Sequence, residues 1–351
     1  MTRRRKRNPI LRFFLRLLAV LLGTALLLAV FLYGVIYLLC KGPSPTAREL
    51  FVLSTNETSA IGFLPRLCLS AEEIDEILSR RAEQNVESTD ISLISVPQQE
   101  PEDKTLPDAW GYADEDGDGL IYVPVAGESF VGHMLIVLDP MRVIVGCVPE
   151  SFQFRGYTLQ ELVEEYDAVA GINGGDFEDP NGTGNGSTPE HAVVFRGKIY
   201  MGGYGTGHGF AGLDRDGILH VGTFTSEQLQ EKNIQYGTSY GPVLVVNGEI
   251  ADPASLHSGV NPRTAIGQRS DGAILMLVIT GRQPNSLGAT YLDEAEVMLK
   301  FGAVNAANLD GGSSSLMWLN GGYVNPPATI VGIRRIPTSF LVLKEGVSLD
   351  D

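Results

Sequence analysis

Residues 288–315, GATYLDEAEVMLKFGAVNAANLDGGSSS, contain the clearest structural signal in the chain. Positions 291–300 have the composition and spacing of an amphipathic helix, and Glu294, a second-tier site candidate that could equally face solvent, lies on it. The apolar run 304–309 predicts a buried strand that ends at Asp310, followed by two glycines. A helix that leads directly into a buried strand predicts a sheet with the helix packed against one face.

Short β-rich runs broken by turns surround this stretch. One more helix is predicted at 158–166, and the predicted strands are 121–125, 133–138, 142–146, 168–172, 193–195, 199–201, 218–221, 243–246, 273–279 and 339–343. Many strands with few helices predict an α+β fold, with a mixed β-sheet core and flanking helices.

The N-terminus has the pattern of a membrane anchor. Residues 17–40 carry no charge, and a helix needs about 20 apolar residues to cross the hydrocarbon core. A cleaved signal peptide would have a shorter apolar run, ending in small residues at the cleavage site. Basic side chains on one side predict a cytoplasmic N-terminus; these are Arg3, Arg4, Arg5, Lys6, Arg7, Arg12 and Arg16.

The rest of the chain is strongly acidic. Beyond Lys41 there are 18 basic and 42 acidic residues, a formal charge of −24. Such a charge repels nucleic acid, so any anionic ligand needs a local basic pocket. Cys68 and Cys147 could form a disulfide, but two thiols do not define a framework, and unpaired cysteines are favoured.

These features predict four regions. Residues 1–16 form a basic cytoplasmic tail and 17–40 the transmembrane anchor. Residues 41–119 form a stalk or accessory region, in which Ser70 caps a helix reaching Arg81 and 97–119 is an exposed Pro-, Gly- and acid-rich linker. Residues 120–346 form the main domain, and the sequence makes no prediction of oligomeric state.

Three motif matches fail on their context. Ser239 lies in a G-x-S-x-G pattern, but a strand follows it where a nucleophile elbow needs a helix. We interpret Ser239 as a turn residue. The glycine-rich run 202–209 is also followed by a strand, so it predicts a hairpin and no nucleotide site. The five histidines have no metal-ligand spacing, so the sequence assigns no metal ligand and names no cofactor, and it leaves a metal requirement open.

Three other segments place polar residues and glycines at strand ends. They are residues 173–177 (NGGDF), 261–267 (NPRTAIG) and 308–315 (NLDGGSSS). Glycines let a ligand approach the backbone, and an arginine fork matches phosphate geometry. Each segment alone is more often a turn, but three in one domain favour a shared cleft.

These segments carry a resemblance to a known family. Residues from about 130 to 343 resemble the phosphodiester glycosidase family in several motifs, in the family's order. The matching pieces are INGGDF (172–177), GPVLVVNGEI (241–250), NPRTAIG (261–267), residues 288–315 and RRIPTSFLV (334–342). The chain departs from the family's usual motifs at two positions, which concern substrate detail. Asp176 stands where the family has the first of two phenylalanines, and Ser313 stands where it has a third glycine.

The resemblance implies a hydrolase that removes a sugar from a glycosyl phosphodiester, outside the membrane. Asp310 would stabilise the oxocarbenium-like transition state, attack it or activate water, and Arg263 would bind the phosphate. Asn173 completes the predicted catalytic set. The predicted substrate-binding residues are Gly174, Gly175, Asp176, Thr264, Arg282, Gly311, Gly312 and Ser313.

A protein that binds or assembles a surface polysaccharide without catalysis is the alternative function. The presence of Asn173, Arg263 and Asp310 counts against it, and the two departures count slightly for it. In both cases the partners are a carbohydrate and, through the N-terminal helix, a membrane.

The charge bias predicts a specific topology. Protease added to intact cells should digest residues 42–351 and spare the basic tail, because the positively charged end of an anchor stays in the cytoplasm. Immunoblots with antibodies to each end measure this, and permeabilised cells are the control. Protection of the large domain in sealed cells would overturn the orientation.

Overall fold

The computed structural model describes residues 9–58, 61–84, 89–96, 106–180, 184–200, 209–329 and 332–347. Its first element is α1 (Pro9–Lys41), which contains the predicted anchor 17–40. By length and composition, Ile10–Lys41 could cross a membrane, and a signal sequence would meet the same criterion.

Five further helices lie among the described residues. They are α2 (Pro45–Asn56), α3 (Ala71–Leu78), α4 (Leu159–Glu165), α5 (Ser226–Glu231) and α6 (Tyr291–Lys300). Four of them begin with a capping box, in which a Ser or Thr side chain and the side chain three residues later each accept a backbone N–H. The sequence predicted α3, α4 and α6 but not α2 or α5.

The strands are short, as predicted. In chain order they are β1 (Leu120–Ala126), β2 (Val131–Val137), β3 (Val143–Cys147), β4 (Ala168–Asn173), β5 (Val193–Phe195), β6 (Lys198–Tyr200), β7 (Gly209–Asp214), β8 (Leu219–Gly222), β9 (Ile234–Tyr240), β10 (Val243–Val246), β11 (Glu249–Ile250), β12 (Arg263–Arg269), β13 (Ile274–Ile279), β14 (Ala303–Asn308), β15 (Met317–Leu319), β16 (Gly322–Tyr323) and β17 (Thr338–Leu343). The predicted hairpin at 202–209 lies outside the described residues, except for its last position.

These strands form three sheets. The first has the order β1-β2-β13-β12-β14-β10-β11, the second β16-β15-β4-β17-β3 and the third β6-β5-β9-β7-β8. The α+β prediction is confirmed. Every pairing between the described strands is antiparallel, whereas the sequence predicted a mixed core.

One apolar core joins the three sheets. It includes Leu135 of the first sheet, Ile172 of the second and Ala211 of the third. Helix α6 covers the other face of the first sheet, where Met298 packs with Leu275. Helix α4 covers the second sheet in the same way. The strand ends between these layers are where polar residues can reach solvent.

The accessory region is packed against the main domain. Asp108 forms an ion pair with Arg269 at 2.6 Å, and the Arg269 guanidinium lies 4.1 Å from the Trp110 ring centroid. The described part of the predicted linker, from residue 106, is therefore anchored here and not exposed throughout. Arg269 itself is fully buried and also pairs with Asp271.

Two further sequence predictions concern single residues. Ser239 lies inside β9 and is 4% exposed, so the turn prediction was wrong. A residue within a strand does not lie at the strand-to-helix turn that a nucleophile elbow requires, so the rejection of that motif is consistent with the structure. The cysteines are unpaired, as favoured: Cys147 is buried in the core and Cys68 is partly buried.

The Arg269 contacts predict a large stability effect. Arg269→Met should lower the free energy of unfolding by about 1–3 kcal/mol, because it removes a fully buried guanidinium and leaves two partly exposed carboxylates, Asp108 and Asp271, without their partner. Urea unfolding of the detergent-solubilised chain measures this. Lys344→Met is the control, since its pair with Asp167 is at the surface and should be worth at most about 1 kcal/mol. Equal losses in both variants would contradict the buried-pair interpretation.

Candidate functional site

Three strand ends meet at the buried Asn173 side chain. Its Nδ2 donates to the Asp310 carbonyl at 2.5 Å, and its Oδ1 accepts from the Thr264 hydroxyl at 2.8 Å. The same oxygen accepts the Leu316 N–H at 3.2 Å. The Asp310 N–H in turn donates to the Gly174 carbonyl at 3.0 Å. The structure therefore brings the three predicted segments together.

Asn173 and Thr264 hold this junction through hydrogen bonds within the chain. Both side chains are fully buried, and each has its hydrogen-bonding partner within the chain. The sequence assigned both to catalysis or substrate binding. Their position instead fixes the main chain of Asp310, which is a positioning role.

Gly174 and Gly175 are explained by packing. A Cβ at Gly175 would lie 2.2 Å from the Ser239 carbonyl oxygen, and one at Gly174 would lie 2.5 Å from the Thr338 hydroxyl. Their N–H groups both donate to Thr338, through its carbonyl and its hydroxyl, at 3.0 Å. The sequence analysis placed both glycines in the substrate-binding set, but in this arrangement their N–H groups are already used within the chain.

Asp310 is a largely buried carboxyl at the end of β14. Its pKa is raised to about 7, mainly by burial and also by the nearby Asp176 and Asp179 carboxylates, while the Ser314 hydroxyl and Arg334 act in the opposite direction. A group that titrates near neutral pH can gain or lose a proton during a reaction. Asp310 therefore has the electrostatic environment of an acid–base or nucleophilic residue.

Two arginines flank the loop that follows Asp310. The Arg282 guanidinium lies against Gly312, where an added Cβ would come within 3.4 Å of it. On the other side, Arg334 Nη1 donates to the Ser313 hydroxyl at 3.4 Å, and Arg334 also pairs with Asp179. In the described part of the chain, Arg282 has no carboxylate partner, so its charge is available to an anion.

Arg263 has a different environment from the one predicted. Its Nη2 donates to Glu57 at 2.8 Å and to the Gly259 carbonyl at 2.6 Å, and its guanidinium lies 4.0 Å from the Tyr291 ring centroid. Burial by itself would lower the pKa of Arg263, but Tyr291 and Glu57 outweigh it and raise the pKa above its ordinary value. In this structure the charge predicted for a phosphate is neutralised by Glu57.

The strand period explains why Arg263 and Thr264 separate. Successive side chains of β12 point to opposite faces of the sheet, so Arg263 faces α6 while Thr264 faces the core. Tyr240 links the two sides. Burial raises its pKa, Tyr291 and Asp310 add to the rise, and Arg263 opposes it. The phenol is therefore within electrostatic reach of both Asp310 and Arg263.

Glu294, which the sequence left undecided between cleft and solvent, is fully buried beside Arg263. Its two carboxylate oxygens have no hydrogen-bond partner among the described residues. Burial raises the pKa of Glu294 well above its ordinary value, despite the opposing effect of Arg263. A neutral Glu294 is the form that this environment favours.

Asp176 borders a cavity of about 780 Å³ together with Glu190 and His191. His191 Nδ1 makes a short hydrogen bond with Asp176 Oδ2. Burial raises the pKa of Asp176 to about 6, against the effect of His191. The predicted site residue Asp176 is thus one member of a larger polar group.

Several residues of this region were not predicted as site residues: Glu57, Glu190, His191, Tyr240 and Arg334. Arg334 lies in a motif that the sequence analysis used only to support the family resemblance. Glu57 and His191 have no local signal, because their partners are more than ten residues away along the chain.

At the strand ends of an antiparallel α+β core, the titratable Asp310 carboxyl precedes a loop that two arginines flank, and this arrangement is a candidate site for hydrolysis of an anionic substrate. Comparison with known proteins agrees with this class. The model of the phosphodiester glycosidase family matches residues 166–343. The chain belongs to the phosphodiester glycosidase family.

Curated relatives are similar over part of their length. N-acetylglucosamine-1-phosphodiester α-N-acetylglucosaminidase from Bos taurus is 27% identical over 229 residues, which cover 58% of this chain and 42% of the relative. The chain thus spans less than half of that enzyme. An uncharacterized SPbeta prophage-derived protein from Bacillus subtilis is 45% identical over 65 residues, which cover 18% of this chain and 10% of the prophage protein.

A solved structure shares the fold. The catalytic domain of zebrafish N-acetylglucosamine-1-phosphodiester α-N-acetylglucosaminidase, auto-inhibited by its pro-peptide, matches with a TM-score of 0.55 at 21% identity. The match covers 64% of this chain and 82% of the zebrafish chain.

Proposed function

We propose that this chain is a membrane-anchored hydrolase that cleaves a sugar from a glycosyl phosphodiester. The observation that carries the proposal is the Asp310 carboxyl, whose pKa is raised to about 7 beside a loop flanked by arginines. Family membership supports the same reaction, since the mammalian relatives are named for removing N-acetylglucosamine from a phosphodiester.

Asp310 is the catalytic residue of this proposal. A phosphate ester is a good leaving group, so its departure requires neutralisation of charge more than protonation. The ionised Asp310 would stabilise the oxocarbenium-like transition state, attack it or activate water. Arg282, Gly312 and Ser313 would bind the phosphate from one side of the loop, and Asn173 would hold the Asp310 main chain in place.

The proposed location is the outer face of a membrane. Residues 1–16 would be cytoplasmic, 17–40 would cross the membrane, and 41–119 would connect it to the domain 120–346. The basic N-terminal cluster and the apolar α1 support this orientation. The substrate would then be a cell-surface polysaccharide or another glycoconjugate of the cell envelope.

A non-catalytic polysaccharide-binding protein is the alternative. Binding alone needs no carboxyl that titrates near neutral pH, and burying one is unfavourable for the folded state when it ionises. The environment of Asp310 therefore favours catalysis.

The Asp310 assignment predicts a pH dependence. If the ionised carboxylate acts, kcat/KM should rise with pH and level off above about 7, because the reactive form is the deprotonated one. Asp310→Asn should abolish most turnover, by about 10³-fold or more. Released sugar from a panel of glycosyl phosphodiesters measures both.

Ser314→Ala provides a matched test of the same carboxyl. The Ser314 hydroxyl lowers the pKa of Asp310, so its loss should move the rising limb to higher pH. Melting temperatures on the same preparations separate activity from folding. Near-normal turnover in a folded Asp310→Asn variant would refute the site assignment.

Glu57 supports a second element of the proposal, a blocked state of the site. Its carboxylate accepts hydrogen bonds from Arg263, from Asn261 Nδ2 at 3.0 Å and from the Gly259 N–H at 3.1 Å. The next residue, Thr58, accepts from Arg282 at 3.0 Å. A carboxylate in this set of donors occupies the place that an anionic substrate group would need.

The zebrafish relative is described as auto-inhibited by a pro-peptide, and we propose an equivalent role for the segment that follows α2. Arg263 would bind phosphate only after Glu57 leaves it. Arg263 would then still bind the phosphate, as the sequence predicts, and its ion pair with Glu57 would belong to the blocked state.

Removing the Glu57 charge should therefore activate the protein. Glu57→Gln should raise kcat/KM by about tenfold or more, because a larger fraction of molecules would have a free Arg263. Glu49→Gln is the control, since Glu49 also lies on the accessory region but pairs with Arg80. Lower stability without any rise in turnover per folded molecule would show that Glu57 is only structural.

A further inference from the structure

Asp176, Glu190 and His191 bring three metal-ligand donors together outside the Asp310 loop. One carboxylate oxygen from Asp176, one from Glu190 and one ring nitrogen from His191 all lie within 4.8 Å of one another. Two donors that bind one ion at about 2.0–2.2 Å can be at most about 4.4 Å apart. Small side-chain shifts would therefore let all three share an ion, which would take the place of the hydrogen bond between His191 and Asp176.

The backbone of β9 fixes two of these residues relative to each other. The Ser239 carbonyl accepts the Asp176 N–H at 3.0 Å, and the Ser239 N–H donates to the carbonyl of Ala192, which follows His191. The Asp176 and His191 side chains are 12% and 18% exposed. Metal ligands whose backbone is fixed by a strand in this way are held in place before an ion binds.

The cluster opens into the cavity of about 780 Å³ that Tyr240 and Gly241 also line. Gly241 connects this cavity to β14, because its carbonyl accepts a hydrogen bond from Asn308 Nδ2 at 2.7 Å. Asn308 is the last residue of β14 and lies two residues before Asp310. Three protein ligands beside an open space are the arrangement of metal sites that keep positions for water or substrate.

We propose that Asp176, Glu190 and His191 bind a divalent transition-metal ion of the Mn²⁺ or Zn²⁺ type at the edge of this cavity. One imidazole nitrogen with two carboxylates suits these ions, whereas Ca²⁺ and Mg²⁺ prefer oxygen ligands alone. Glu190 is the exposed member of the set.

A second group of acidic residues provides a contrast. Asp114, Asp116 and Asp118 are equally close together, but both Asp114 oxygens already accept backbone N–H groups, from Gly117 and Gly119. That group is explained by its own turn and lacks a nitrogen donor.

The role of the ion, unlike its binding, rests on the proposed function. The part of the chain beyond Lys41 has a formal charge of −24, which repels a phosphodiester. A divalent cation beside the Asp310 strand would offset that repulsion and offer open positions to a phosphate oxygen.

Titration of the chelator-treated, detergent-solubilised full chain with Mn²⁺ alone tests the site. Free Mn²⁺, measured by electron paramagnetic resonance, should reveal one saturable site per chain that Zn²⁺ displaces. His191→Ala and Asp176→Asn should each weaken binding by about 100-fold or more, since even outer-shell partners of a metal contribute up to about that factor. Mn²⁺ should raise the melting temperature of the wild type but not of these variants.

Asp116→Asn is the control, because it removes the same charge from the other acidic group and should leave binding unchanged. His191→Gln, with a smaller change in volume, replaces His191→Ala if the latter does not fold. Absence of saturable binding, binding unaffected in a folded His191 variant, or loss of binding in Asp116→Asn alone would overturn the proposal. No substrate is used, so these results are independent of the hydrolase activity.

Discussion

The candidate site depends on one buried amide. Asn173 lies where β4, β12 and the segment after β14 meet, and its two polar atoms satisfy groups from the other two segments and from Leu316. An unsatisfied polar group at such a position costs about 1–3 kcal/mol, so the three strand ends are fixed together. Asp310 inherits its position from this junction, as its carbonyl accepts the Asn173 amide.

Charge is the second constraint. In a domain this acidic, arginines at the site are attractive partners for carboxylates of the same chain, and Arg263 and Arg334 are both paired in this way. Arg282 differs because Thr58 and Asn261 contact it through neutral oxygens. The site therefore contains Arg282, whose charge is not paired with a carboxylate among the described residues, and Arg263, whose charge is neutralised by Glu57.

The accessory region belongs to this electrostatic system. Helix α2 delivers Glu57 to Arg263, and the segment around Trp110 is held by Arg269. Both contacts join residues far apart in the sequence, and each neutralises an arginine that is almost completely buried. The region between α1 and β1 is thus joined to the rest of the chain by ion pairs, one of which reaches the candidate site at Arg263.

The sequence by itself determined the α+β class, most strands, the capped helices α3, α4 and α6 and the meeting of the segments around Asn173 and Asp310. These follow from local periodicity, capping residues and glycines at strand ends, which act within a few residues. Only the tertiary structure decided that Thr264 faces the core, that Glu57 neutralises Arg263 and that His191 joins Asp176. Those contacts depend on strand register and on packing between distant segments, which no local pattern specifies.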